Sequence, residues 1–235
     1  MSSQTKILVI ENEADAARHV ENALKTSGYS LQSANNGQDG LKLFAADTPA
    51  LVILSLGLPD ITGRDMMQAL RVKTRVPVVL LATREQEAQK VEILQAGADD
   101  YLLKPLLGQE DLLDRVRIAL QHQQRRGQGQ DVAADDYSCN GLTVDVRRRK
   151  ATLHDSGLHL TPTEYDLLET LVQKAGQVVT HAELLREVWG KRPGVHDHYL
   201  RIYIQRLRQK LGDDPFRPRY IFTESGIGYR MSARV

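Results

Sequence analysis

Cysteine is nearly absent from these 235 residues, with Cys139 the single example. An intramolecular disulfide and a thiolate metal site are thereby excluded, and Cys139 reads as a small packing residue. Long hydrophobic runs are missing too. No apolar stretch approaches the roughly 18–20 residues that span a bilayer, and the opening MSSQTKILVIENE lacks the charged-then-apolar pattern of a signal peptide. A cytoplasmic location without a membrane partner is therefore expected. Neither a G-x-G-x-x-G nor a Walker loop follows the first apolar run, which argues against nucleotide binding. Ser55-Leu56-Gly57 is only a fragment of a hydrolase nucleophile elbow, because Ile53 occupies the first glycine position. No catalytic triad can be assembled around it, so an enzyme is not expected.

What is present is ordinary globular material. The apolar share of 41% and charged share of 26% argue against disorder, and the length suggests two domains. Charge is uneven along the chain: residues 1–120 hold thirteen basic and sixteen acidic side chains, whereas the last 99 hold sixteen and eleven. Only the second half is suited to a polyanion.

Short aliphatic runs alternate with amphipathic segments through residues 1–121. Strands are expected at Ile7–Ile10, Tyr29–Ala34, Leu51–Leu56, Val76–Ala82 and Tyr101–Leu103. Helices are expected at Ala14–Thr26, Gly40–Ala46, Asp65–Val72, Glu85–Ala96 and Glu110–Gln121. This alternation predicts an α/β domain with a doubly wound, five-stranded parallel sheet, whose function collects at the carboxyl ends of its strands. Residues 122–136, rich in Gln, Gly and Asp, read as a flexible linker. Residues 137–235 read as an α+β domain. Short strands at Leu142–Val146 and Lys150–Leu153 precede two capping boxes, Thr161-Pro162-Thr163-Glu164 and Thr180-His181-Ala182-Glu183, which open helices of about 14 and 9 residues. A third helix, Val195–Leu211, stops at Gly212, and Tyr220–Thr223 with Gly228–Met231 forms a hairpin. Three helices followed by a hairpin describe a winged helix-turn-helix.

On that third helix Leu200, Ile204, Leu207 and Leu211 make a core stripe, and the other side carries His198, Arg201, Ile202, Gln205, Arg206 and Gln209. Arg pairs bidentately with guanine, Gln with adenine, and an exposed Ile meets a thymine methyl. Arg208 and Lys210 at the flanks suit phosphates, and Arg219, Thr223 and Arg230 extend the surface into the wing. No acid occurs from residue 198 to 212, which favours a DNA-reading face over a merely solvated one.

The run HDHYLRIYIQRLRQKLGDDPFRPRYIFTESGIGYR, with TPTEYDLLETLVQKAGQVVTHAELLREVWG before it, resembles the DNA-binding end of the OmpR/PhoB response regulators, especially the regulators of Kdp potassium-transport operons. The resemblance implies that the third helix enters the major groove of double-stranded DNA, that the hairpin touches the adjacent minor groove or backbone, and that dimers bind repeated half-sites. It also implies RNA polymerase and a sensor kinase as partners, with potassium-transport genes as targets.

VIENE, LVILSLGLPD, VPVVLLA and GADDYLLKP resemble the phosphoacceptor receiver domain of the same regulators. In that family two acids after the first strand and an aspartate ending the third hold Mg²⁺, and the aspartate takes the phosphoryl group. Here the resemblance places Ser55 at the acceptor position, Asn12 in place of one acid and Ala82 in place of a hydroxyl residue. Glu11 and Lys104 remain. Mg²⁺ needs near-octahedral oxygens, so its binding is expected to be weak or absent and no cofactor is expected. A serine without an adjacent base is a poor nucleophile. A Lys104–Glu11 contact would mimic part of a phosphorylated state.

The resemblance further implies a homodimer through the fourth predicted helix, fifth strand and fifth predicted helix, with Lys90, Asp99, Asp100, Asp111 and Arg115 at the interface and Tyr101 as the aromatic switch. The expectation is a DNA-binding regulator whose receiver dimerises without phosphate or answers a protein or small-molecule ligand. The alternative is a conventional phosphorylated regulator with a non-standard acceptor.

Overall fold

The computed structural model describes residues 4–86, 94, 96–106, 108–124, 136–190 and 197–233. The chain divides into two compact units, Met1–Gln123 and Gln124–Val235. In the first, strands β1 (Lys6–Ile10), β2 (Ser30–Ala34), β3 (Leu51–Ser55), β4 (Val78–Ala82) and β5 (Asp100–Leu103) form one parallel sheet in the order β2-β1-β3-β4-β5. Its helices are α1 (Ala14–Thr26), α2 (Gly37–Ala46), α3 (Gly63–Lys73) and α4 (Gln109–Gln124), the last being the fifth of the predicted helices. The predicted helix Glu85–Ala96 falls for the most part outside the described residues, and Lys90 with it.

Every residue of β3 and β4 is buried, as expected where helices cover both faces of a parallel sheet. One face packs Ile7, Val9, Ile53, Val79 and Leu81 against Val20 and Leu24 of α1 and Leu112 and Val116 of α4. The strand order reverses between β1 and β3, which opens a crevice at their carboxyl ends. Glu11 follows β1, Ser55 closes β3, Ala82 closes β4 and Lys104 follows β5. Helix α2 begins three residues earlier than its apolar pattern suggested. The Asn36 side chain accepts from the Asp39 amide, and Asp60 accepts from the amides of Gly37 and Gln38 at 2.8 Å each. Those two amides hold the Asp60 carboxyl below its ordinary pKa.

The second unit opens with a four-stranded antiparallel sheet of β6 (Tyr137–Cys139), β7 (Leu142–Asp145), β8 (Lys150–Leu153) and β9 (Ser156–Gly157). Helices α5 (Pro162–Gln173), α6 (His181–Trp189) and α7 (Asp197–Leu211) follow. Strands β10 (Val178–Thr180), β11 (Ile221–Glu224) and β12 (Gly228–Met231) make a three-stranded sheet in the order β10-β12-β11. The hairpin expected from sequence is therefore widened by β10, whose Thr180 also caps α6. A Cβ on Gly228 would overlap the Val179 carbonyl, so close pairing of β12 with β10 requires glycine there.

Thr161 and Glu164 form a full capping box on α5. At α6 only half of the expected box forms: the Thr180 hydroxyl accepts from the Glu183 amide at 3.2 Å, while the Glu183 carboxylate turns to Lys174. Trp189 meets Tyr199 and Tyr203 edge-on, with centroids 5.5 and 5.2 Å apart, and locks α6 against α7. Gly212, at φ +62°, ends α7.

Candidate nucleic-acid interface and receiver pocket

Helix α7 buries more of itself than its leucine stripe foretold. Leu200, Ile204, Leu207 and Leu211 are buried as expected, but so are Tyr199, Ile202, Tyr203 and Arg206. The outward face narrows to His198, Arg201, Gln205 and Gln209, all exposed. The placement of Ile202 and Arg206 on that face is corrected: they lie roughly half a turn and a third of a turn from the core stripe, yet both are buried, so the helix packs on more than one side. Arg206, 4% exposed, pairs with Glu164 at 2.7 Å and lies over the Tyr203 ring.

Lys210 reaches the same Glu164 carboxylate at 2.5 Å and donates to the His159 carbonyl at 2.7 Å, so it is engaged within the fold rather than offered to phosphate. Glu164 is fully buried, and its amide partner is the Thr161 N–H at 2.7 Å. Burial pushes the Glu164 carboxyl up, but Arg206 and Lys210 outweigh it and hold the group below the ordinary carboxylate pKa.

Arg208 is likewise turned inward. Its guanidinium donates to the Ile221 carbonyl at 2.6 Å and to the Thr223 hydroxyl at 2.9 Å, clamping α7 to β11. Thr223 remains exposed, as does Arg219, whose amide donates to Asp213 at 2.7 Å. Arg230 stacks over Phe222 and pairs with Glu224 at 2.9 Å. Asp213 accepts from three successive amides, Arg219, Tyr220 and Ile221, and so fixes the approach to β11. Neither this clamp nor the double duty of Glu164 was read from sequence. The one available signal was the capping-box glutamate itself.

In the first unit the crevice residues converge. Lys104 Nζ lies 3.1 Å from Glu11 Oε2, 2.9 Å from Glu13 Oε1 and 3.4 Å from Ser55 Oγ. Glu11, Ser55 and Lys104 are buried, and Glu13 is half exposed. Ala82 is buried at the end of β4 and Asn12 is exposed. Glu13 is the N-cap residue of α1, yet it makes no side-chain cap bond because its carboxylate serves Lys104.

Of the expected interface charges, Asp99 is corrected. It is 2% exposed, pairs with Arg71 at 2.6 Å and accepts from the Val78 amide at 3.0 Å, so it is an internal brace. Asp100 is also buried and pairs with Arg115 at 2.7 Å, and Arg115 continues to the exposed Asp111 at 3.1 Å. Tyr101 is partly buried on β5.

A doubly wound sheet with a charged crevice, followed by a winged helix, defines a response regulator that acts on DNA. Residues 7–117 match the response regulator receiver domain family, and residues 154–231 match the family of transcriptional regulatory protein C-terminal domains. The KDP operon transcriptional regulatory protein KdpE of Escherichia coli is 42% identical over 96% of this chain and 98% of its own. The transcriptional regulatory protein KdpE of Mycobacterium tuberculosis is 39% identical over 97% of this chain and all of its own. The crystal structure of DrrB, an OmpR/PhoB homologue from Thermotoga maritima, is similar with a TM-score of 0.51 and 28% identity over 98% of this chain and 100% of its own. The chain belongs to the OmpR/PhoB response regulators and is KdpE-like. This is a family of transcription regulators, and no described helix is long and apolar enough to cross a membrane.

Proposed function

We propose that this regulator binds its operator as a dimer without phosphorylation, reading repeated half-sites through His198, Arg201, Gln205 and Gln209 and switching a Kdp-type potassium-transport operon. The observation that carries the reading is the Lys104 ammonium already answered from within by Glu11 and Glu13, beside a neutral Ser55 at the acceptor position. In a working receiver that ammonium would meet aspartate and phosphate. Here two carboxylates around one ammonium leave a negative surplus that opposes a phosphoryl anion.

The pocket does not fit Mg²⁺. Glu11 is the one acid left at the family's ligand positions, and an ammonium stands 3.1 Å from it. The receiver then serves as a dimerisation module through β5 and α4, where the exposed Asp111, tied to the inner Asp100–Arg115 pair, supplies charge, and a sensor kinase would act by docking.

The test is footprinting of the untreated full-length chain on its own upstream DNA, with and without acetyl phosphate and Mg²⁺. Protection of two repeated half-sites at the same half-saturating concentration in both conditions is expected. A phosphoryl mass increase accompanied by tighter protection would overturn the reading in favour of a conventional regulator with an unusual acceptor.

A further inference from the structure

Beside the crevice, between the start of α1 and the loops after β4 and β5, lies a cleft of about 540 Å³. This lies within the range of roughly 300–1,000 Å³ typical of small-molecule sites. Ala16, Pro105 and Leu106 give it apolar walls. His19 stands in the same lining, and its Nε2 is sealed from solvent with no hydrogen-bond partner among the described residues. The charges around the cleft do not balance. Lys104 is shared by Glu11 and Glu13, leaving one negative charge in excess, and Glu13 is the member of that pair that faces outward, with its side chain 55% exposed. Asp15 is answered by Arg18, and Glu85 stands next to Arg84. The surplus is therefore located at Glu13.

An anion entering this cleft would meet a carboxylate that has only a share of one ammonium. A cation would share it with Lys104, while an apolar body displaced water from Ala16, Pro105 and Leu106. We propose that the cleft is a ligand site for a small amphipathic organic cation, whose ammonium binds Glu13 and whose apolar part lies on Ala16, Pro105 and Leu106. The inference rests on the reading of a receiver freed from phosphate chemistry and names the class of ligand it answers to. Glu13 is at once the N-cap residue of α1 and a partner of Lys104. An ammonium arriving there competes for the carboxylate and changes what holds the end of β5.

The probes are tryptamine and indole-3-propionate, which share a ring and a short side chain but carry opposite charge, titrated into the full-length chain by calorimetry. Saturable binding of tryptamine is expected, with indole-3-propionate about tenfold weaker or more. Glu13→Gln, a conservative change on a half-exposed side chain, should erase most of that preference. Ala16→Trp, which fills the cleft, should abolish tryptamine binding. Absence of saturable tryptamine binding, equal binding of the two probes, or unchanged binding by a cooperatively melting Ala16→Trp variant would overturn the inference. Footprints of the same preparations separate the two ideas: donor-independent protection without tryptamine binding leaves the phosphate-free regulator standing and removes only the ligand.

Discussion

In the first unit two carboxylates, Glu11 and Glu13, share the ammonium of Lys104; in the second two cations, Arg206 and Lys210, share the carboxylate of Glu164. Both triads draw on residue types that sequence reasoning assigns to function, a receiver lysine and the arginine and lysine of a basic helix. Both are closed inside their own unit. They differ in depth and surplus. Glu164 is fully buried with its cations around it, whereas the Lys104 triad ends in the half-exposed Glu13. The inner triad holds a helix in place, and the outer one is open to exchange. In the function proposed above, the DNA-reading role falls to the side chains left outside both, on the narrow exposed edge of α7.

The comparison breaks most severely at Glu164. Glu164→Gln leaves Arg206 buried without its counter-charge, and a loss of about 3–5 kcal/mol is expected in urea denaturation of the second unit. Because the folded-state pKa of Glu164 lies below the ordinary value of 4.5, its contribution is complete above that value and is lost as pH falls through the lower one. The variant should accordingly show a flatter acid limb in a stability-versus-pH profile, and an unchanged limb would mean that the triad carries no charge-dependent stability.

Next in size, Arg201→Ala or Gln205→Ala should weaken operator binding by about 1–3 kcal/mol and relax specificity at one base pair. The measurement is binding to a panel of single-base operator variants. Arg206→Ala should instead lower stability without relaxing any base preference. If it relaxed one, the inward placement of Arg206 would be refuted.

Glu11→Gln removes one charge from the outer triad while Glu13 stays, so a loss of about 1.5 kcal/mol is expected in the first unit, with a shift in the monomer–dimer balance seen by sedimentation. Unchanged dimerisation and DNA affinity together would detach the triad from control. The smallest effect belongs to Ser55→Asp: with Asn12 and Ala82 unaltered, incubation with acetyl phosphate should give no rapid labelling by intact mass. Prompt labelling would show that the acceptor position alone had been limiting.

The parallel sheet was legible because five aliphatic runs alternate with amphipathic segments, and α1 keeps its predicted bounds, Ala14–Thr26. The Lys104–Glu11 contact was legible too, since both residues follow sheet strands at the same edge. Strand β10 was not, because three residues between two helices show no periodicity and Val178–Thr180 becomes a strand only through pairing with β12. The leucine stripe marks only one buried side of α7: Glu164 of α5 covers Arg206, Trp189 of α6 packs on Tyr199 and Tyr203, and Ile202 is buried as well, which the sequence of α7 alone does not show. Asp99 read as surface charge for the same reason: its partner Arg71 lies 28 residues away on α3.

The Arg208 clamp sets a mechanical condition on recognition. By gripping the Ile221 carbonyl and the Thr223 hydroxyl together, it makes α7 and the wing a caliper of fixed opening. A duplex whose groove spacing does not match that opening must bend or twist to fit, and the cost of doing so depends on base steps that no side chain touches. Part of the operator's identity would then be carried by the stiffness of the DNA itself.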